Sequence, residues 1–244
     1  MSIQVIDSMS SCGMGKESND RPVLTHCQVL GPDLIERMRD MGIIANIQPA
    51  FVPTDMQWAS QRLLPAQLGY SYAWKTLLDQ GIHVSGGSDA PVEHCSPFLG
   101  IHDAIHRRGR GAMSDEVFRP EECLSLNEAL WIYTAGAAYA AKAEHILGAI
   151  RVGYAADFVV IDPKVFIQTA LLKTYEPHMV IVGGQIVFQK ENYSDIQYIS
   201  QSIDSCHLQK NLDGPFVPGK NGNIHRQGNI WSCKCCQIGS VKLK

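Results

Sequence analysis

The feature that most constrains this chain is an alternation of short apolar runs with amphipathic stretches. Residues 22–26, 43–48 and 82–85 read as buried strands. Residues 32–41, 70–78 and 98–106 read as the helices that follow them. The first of these helices carries Leu34, Ile35 and Met38 on one face, opens on Gly31-Pro32-Asp33 and stops at Gly42. Strands separated by helices are joined by crossovers, and crossovers connect parallel strands. The pattern therefore predicts an α/β fold with a parallel sheet, either open or closed into a barrel. A further helix is predicted over residues 126–142, a loop over 49–66, the end of a helix over 1–9 and a polar loop over 10–20.

The C-terminal part has another style. ADFVVID, HMVIVGG and QIVFQ are short strands, and the last two meet at Gly183-Gly184, a dipeptide suited to a two-residue hairpin. They predict a small antiparallel β unit. Residues 190–244 hold seven Lys/Arg against four Asp/Glu, in a polar, Gly/Asn-rich, weakly periodic stretch. The chain thus divides into residues 1–145, residues 146–190 and a Cys/His-containing tail, residues 191–244, expected to be poorly ordered.

Composition narrows the class of function. Apolar residues make up 45% and charged residues 18% of 244, with a net charge of −3. This excludes a disordered chain, a collagen and a coiled coil, and argues against a basic nucleic-acid binder. The apolar stretches at 158–161 and 179–182 are strand-sized, far short of the roughly 20 residues of a membrane span. The N-terminus lacks the basic-then-apolar pattern of a secretory signal. Cys12, Cys27, Cys95, Cys123 and Cys206 are scattered singly and read as reduced thiols, which points to a cytoplasmic location.

The polar residues that stand out lie just after the strands: His26, Gln48 and Asp89, the last in Ser-Gly-Gly-Ser-Asp-Ala-Pro-Val-Glu. In parallel α/β folds the C-terminal strand ends form the mouth of the site. A His and an Asp there can share one metal ion, and the carboxylate can take the proton of a metal-activated water. The plainer alternative makes His26 a hydrogen-bonded core residue and Asp89 a helix cap. Trp58, Tyr72 and Trp74 can line a pocket or pack in the core. Glu93 and His94 are weaker site candidates.

Other signals are weighed against simpler readings. His102-Asp-Ala-Ile-His106, with Glu121 and Glu122 downstream, resembles a zinc-protease helix, but Asp is a methylene short of the Glu that acts as base. A solvated helix face is the expectation there. Cys206, His207, His225, Cys233, Cys235 and Cys236 in the tail lack a regular zinc-knuckle spacing. Arg107-Arg108-Gly109-Arg110 reads as a solvated loop. Nothing marks Cys27 or Cys95 as an activated thiolate.

RPVLTHCQVLGPDLIERMRDMGIIANIQPAFVPTD resembles a segment of metal-dependent amidohydrolases. The likeness continues through Met56-Gln57-Trp58, Arg62-Leu63, the stretch from Tyr72 to Gly81, Gly87-Ser-Asp-Ala-Pro-Val92 and Pro97-Phe-Leu-Gly-Ile101. It reaches Tyr133-Thr134 and the Gly148 to Asp162 segment, covering roughly residues 20–189. The nearest branch is amidohydrolase family 3, which includes N-substituted formamide deformylase-like enzymes. The resemblance implies a (β/α)8 metallo-hydrolase barrel, present here as about strands 6–8, with residues 146–190 in a small β-sandwich. It implies a divalent metal, zinc or a similar ion, held by His26 and Asp89, with Asp89 as general base. It implies hydrolysis of a non-peptide C–N bond in a small amide-like substrate, with Gln48, Trp58 and Trp74 at the substrate and with neither nucleic acid nor membrane as partner. The family's His-x-His pair and two further ligands have no counterpart in this sequence. The expectation is therefore a C-terminal portion of a longer hydrolase, inactive in isolation, or a catalytically inactive remnant that serves as a binding or structural protein. An unclosed barrel would need a partner on its edge, which makes an oligomer one of the expectations.

Overall fold

The structure is a computed structural model that describes residues 2–16, 18, 20–109 and 115–191. From residue 192 onward the tail lies outside the described residues, as does Arg110.

Strands β1 (Val23–Thr25), β2 (Ile44–Ile47) and β3 (Val84–Gly86) form a parallel sheet in that order, with Val23 opposite Ile44 and Ala45 opposite Val84. The predicted parallel arrangement is thus present. Helix α1 (Ser2–Ser11) buries Ile6, and Arg37 of α2 (Pro32–Met41) pairs with its Asp7 at 2.6 Å. Helix α2 has the predicted bounds, with Pro32 in its first turn and Gly42 in the left-handed region closing it. In the central strand Ile44, Ala45 and Ile47 are fully buried, as expected of a parallel strand covered on both faces.

Residues 49–66 are not a loop. They form α3 (Phe51–Arg62) and the single turn α4 (Pro65–Leu68). Pro53 stands in the first turn of α3, where its missing N–H would have had no partner in any case. The helix buries Val52, Pro53, Asp55, Met56 and Ala59. The helix expected over 70–78 begins only at Trp74, as α5 (Trp74–Asp79). Ser71 is drawn into an antiparallel bridge with Val29, and Tyr72 sits at φ +49°. Helix α6 (Pro97–His106) follows β3. The helix expected over 126–142 breaks at Thr134 (φ −123°, ψ −94°) into α7 (Leu126–Tyr133) and α8 (Ala135–Ala140). Both pack on β3.

The C-terminal β unit is antiparallel: β4 (Phe158–Val160), β5 (Met179–Val182) and β6 (Gln185–Gln189), in that order. The turn between β5 and β6 holds Gly183 at φ +57° and Gly184 at φ +79°, the left-handed pair that a two-residue hairpin demands. Helix α9 (Lys164–Ile167) lies between β4 and β5. The main core joins the parallel sheet to its helices through Met38, Ile47, Leu77, Val84 and Ile132. No helix among the described residues is long and apolar enough to cross a membrane.

Candidate functional site

The first strand ends one residue before His26, whose N–H extends the ladder to the Asn46 carbonyl at 2.7 Å. The chain then turns through two left-handed residues, His26 at φ +72° and Cys27 at φ +49°. For residues with a Cβ this conformation costs about 1–2 kcal/mol each. Surrounding bonds hold it. The Cys27 N–H donates to Thr25, its thiol to the Leu24 carbonyl, and the Trp74 indole N–H to the Cys27 carbonyl at 3.2 Å. The turn leaves the His26 side chain 43% exposed, edge-on to Phe51, with Nδ1 buried and unpartnered.

The third strand ends in a second constrained turn. The Gly87 N–H donates to Ile47, the Tyr133 hydroxyl donates to the Gly87 carbonyl at 3.2 Å, and the Ala90 N–H donates to the Ser88 hydroxyl. Asp89 follows at φ +58°, its side chain 41% exposed. Its Oδ2 lies 3.9 Å from His26 Nε2. Neither plain alternative describes what is seen. The N-cap of α6 is Ser96, not Asp89, and His26 Nδ1 has no hydrogen bond to satisfy it.

Beside this pair runs a line of side chains that all donate in one direction. The Gln48 amide nitrogen donates to Asn46 Oδ1 at 2.7 Å, and the Asn46 amide nitrogen to Ser85 Oγ at 3.0 Å. Gln48 is 3% exposed and its Oε1, at the head of the line, has no partner. Sequence reasoning singled out Gln48 but missed Asn46 and Ser85. Their signal was a polar residue inside each otherwise apolar strand.

The aromatic candidates separate. Trp74 is 2% exposed and packs beneath the His26–Cys27 turn, so it supports the site from the core. Trp58 is half-buried and lies under the Arg62 guanidinium at 5.2 Å. Tyr72 is buried. Glu93 accepts from the Thr54 hydroxyl at 2.6 Å, and His94 Nδ1 accepts from the Ser96 N–H. Burial pushes the Cys27 thiol up to about 12, which removes it as a thiolate nucleophile.

The helix bearing His102 and His106 does not present a solvated face. His102 and Asp103 are buried and bonded to each other at 2.8 Å, because α6 packs against both α7 and the 169–174 turn. His106 Nε2 meets the Thr169 hydroxyl, while Glu122 is engaged by Thr76 and Arg119, and Glu121 by Arg119. Arg107 is likewise no loop residue in solvent. It is 1% exposed, packs over Trp74 and Phe118, and donates to the Phe118 carbonyl, and burial lowers its pKa to about 10.

His26 and Asp89 offer an imidazole nitrogen and a carboxylate oxygen on one accessible spot. Zinc takes both donor types, and its tetrahedral ligands stand about 3.4 Å apart, so the pair at 3.9 Å would have to close by about 0.5 Å to share one such ion. The pair accounts for two of the usual four donors. No group of three or more His, Cys, Asp or Glu suited to a metal occurs among the described residues.

Comparisons with known proteins follow the same lines. Residues 4–188 match the family described as "Amidohydrolase family". YtcJ of Bacillus subtilis (strain 168), named an amidohydrolase, is 40% identical over 168 residues, which cover 68% of this chain and 32% of that protein. The N-substituted formamide deformylase of Arthrobacter pascens is 30% identical over 160 residues, covering 64% of this chain and 28% of the enzyme. Among solved structures, an uncharacterized metal-dependent hydrolase from Pyrococcus furiosus is similar with a TM-score of 0.52 at 26% identity, over 62% of this chain and 29% of that one. The chain spans about a third of the length of the curated relatives it matches.

Proposed function

The chain belongs to the amidohydrolase family, and we propose that it carries part of the active site of a metal-dependent hydrolase that cleaves non-peptide C–N bonds. One observation carries this reading: two left-handed turns at the ends of β1 and β3 bring His26 and Asp89 to within 3.9 Å. In this reading β1, β2 and β3 are strands 6–8 of a (β/α)8 barrel, within the barrel part at residues 1–145. The strands β4–β6 belong to a composite sandwich at residues 146–190.

The imidazole of His26 and the carboxylate of Asp89 would hold a divalent ion, zinc by their chemistry. When bound, such an ion polarises a carbonyl and lowers the pKa of water toward neutrality. Asp89 accepts the proton of the hydrolytic water at a carboxylate oxygen and returns it to the leaving nitrogen. Gln48 Oε1, buried and without a donor, accepts a hydrogen bond from an N–H of a small amide-like substrate. Trp58 forms part of the rim.

A second reading, an amidohydrolase-fold protein that binds without catalysis, draws on the pair's standing two donors short of four. Calorimetric zinc titration tests the metal reading, and turnover of N-substituted formamides by the chain would exclude the second. The chain used carries Ser at Cys206, Cys233, Cys235 and Cys236, so that the tail thiols do not compete for zinc. One zinc per chain is expected, with at least tenfold weaker binding in His26→Ala and in Asp89→Asn. Zinc binding indifferent to both substitutions would sink the metal reading. Site-specific zinc binding without turnover is the outcome expected under either reading, since the chain carries part of the site.

A further inference from the structure

We propose that Asp55 is a positioning residue for His26: through Gln28, its buried carboxylate holds the strained turn after β1 in the form that directs His26 toward Asp89. The proposal rests on the reading of His26 as a metal ligand and extends it to a residue outside the site itself.

Two consecutive non-glycine residues in the left-handed region do not persist unless their neighbours over-determine them. Gln28, next in the chain after Cys27, is where that determination concentrates. Its carbonyl accepts the Tyr72 N–H at 2.6 Å, and its side-chain amide donates to Asp55 Oδ2 at 3.1 Å. The Tyr72 hydroxyl donates to the same oxygen at 2.7 Å. Gln28, Tyr72 and Asp55 therefore form a closed ring of hydrogen bonds. Asp55 is 7% and Tyr72 1% exposed, so the tyrosine hydroxyl has no water to turn to if the carboxylate is removed.

The ring ties three separate segments together: the turn after β1, helix α3 and the left-handed Tyr72 stretch before α5. Its polarity is demanding. Tyr72 and Gln28 both donate to one oxygen of the carboxylate, Oδ2. An apolar residue at position 55 would leave both donors unmet, whereas an amide oxygen in the place of Oδ2 accepts from both. Asp55 is thus the acceptor around which the His26 turn is built. Supports of this kind around metal-ligating residues are commonly worth 10–100-fold in metal affinity.

The test compares the chain with those four tail cysteines replaced by serine, taken as the unsubstituted reference, with Asp55→Ala, with Gln28→Ala and with the exchanged pair Asp55→Asn plus Gln28→Glu, in which that hydrogen bond is rebuilt with reversed polarity. Amide hydrogen exchange is read at Leu30 and Tyr72, whose N–H groups tie the turn to residues 70–72, and at Ile44 and Ala45 in the sheet. Zinc affinity is read on the same proteins. Both single substitutions should speed exchange at Leu30 and Tyr72 at least tenfold, leave Ile44 and Ala45 within twofold, and weaken zinc at least tenfold. The exchanged pair should recover most of both losses, which general destabilisation would not allow. Gln28 is only half-buried, so its variant reports even where Asp55→Ala does not fold. Unchanged exchange at Leu30 and Tyr72, or no recovery in the exchanged pair, overturns the proposal. Absence of His26-dependent zinc binding in the unsubstituted chain overturns the metal reading instead, while the exchange measurements still decide whether Asp55 holds the turn.

Discussion

Replacing Gly100 with Ala probes how tightly the Asp89 turn is held from behind. Gly100 lies within α6, and a Cβ built there would stand 1.9 Å from the Tyr133 hydroxyl oxygen and 2.7 Å from Cζ. Gly86 lies close to the same ring, since a Cβ built there would stand 2.8 Å from Tyr133 Cε2. Tyr133 therefore occupies a slot between two glycines, with its hydroxyl on the Gly87 carbonyl. Overpacking of this kind costs about 1–3 kcal/mol. Losing the Tyr133 hydrogen bond adds about 1 kcal/mol. Alanine's higher helix propensity returns about 1 kcal/mol. The net is a loss of about 2 kcal/mol, or a fall in Tm of roughly 4–8 °C for a chain of this size. Urea unfolding followed by circular dichroism measures it. In a Tyr133→Leu background the obstacle is gone, and the same substitution should be neutral or stabilising by up to about 1 kcal/mol. An equally stable or more stable Gly100→Ala single variant would refute the slot, since helix propensity alone would then account for the result.

Two further outcomes follow from groups outside the site. His83 stacks on Tyr139 at 3.7 Å with Nε2 buried and unpartnered, and burial lowers its pKa from 6.5 to about 4. Its contribution is full above the ordinary value and is lost as pH falls toward about 4, up to about 3 kcal/mol. His83→Phe should flatten stability over that window, and an unchanged slope would show that His83 is not its source. At the start of α7, Ser125 and Glu128 form a reciprocal capping box, so Ser125→Ala should lower unfolding stability by about 1 kcal/mol; a change below a few tenths would show that the cap contributes little.

The parts of the fold legible in the sequence are those governed by local rules. The bounds of α2 follow from its apolar spacing, Pro32 and Gly42. The hairpin follows from Gly183-Gly184. The parallel sheet follows from strand–helix alternation. The errors fall where distant contacts override local preference. Helix α3 escaped notice because Pro53 reads as a breaker until its place in the first turn is known. Residues 70–73 carry a helical pattern, yet pairing of Ser71 with Val29 pulls them straight. His102 and Asp103 look like a solvated face, because the elements that bury them lie on other parts of the chain.

The same division runs through the candidate site. By itself the sequence determined the family resemblance and the choice of His26, Gln48 and Asp89 as strand-end polar groups, since period and position along a strand are encoded within a few residues. Tertiary structure decided that His26 and Asp89 meet, that Trp74 belongs to the core, and that Asp55 and Tyr133 stand behind the two turns. Those outcomes depend on backbone conformations with positive φ at His26, Cys27, Tyr72 and Asp89. A residue with a Cβ adopts that conformation only when packing and hydrogen bonds from remote segments compensate its cost, and no local pattern announces them.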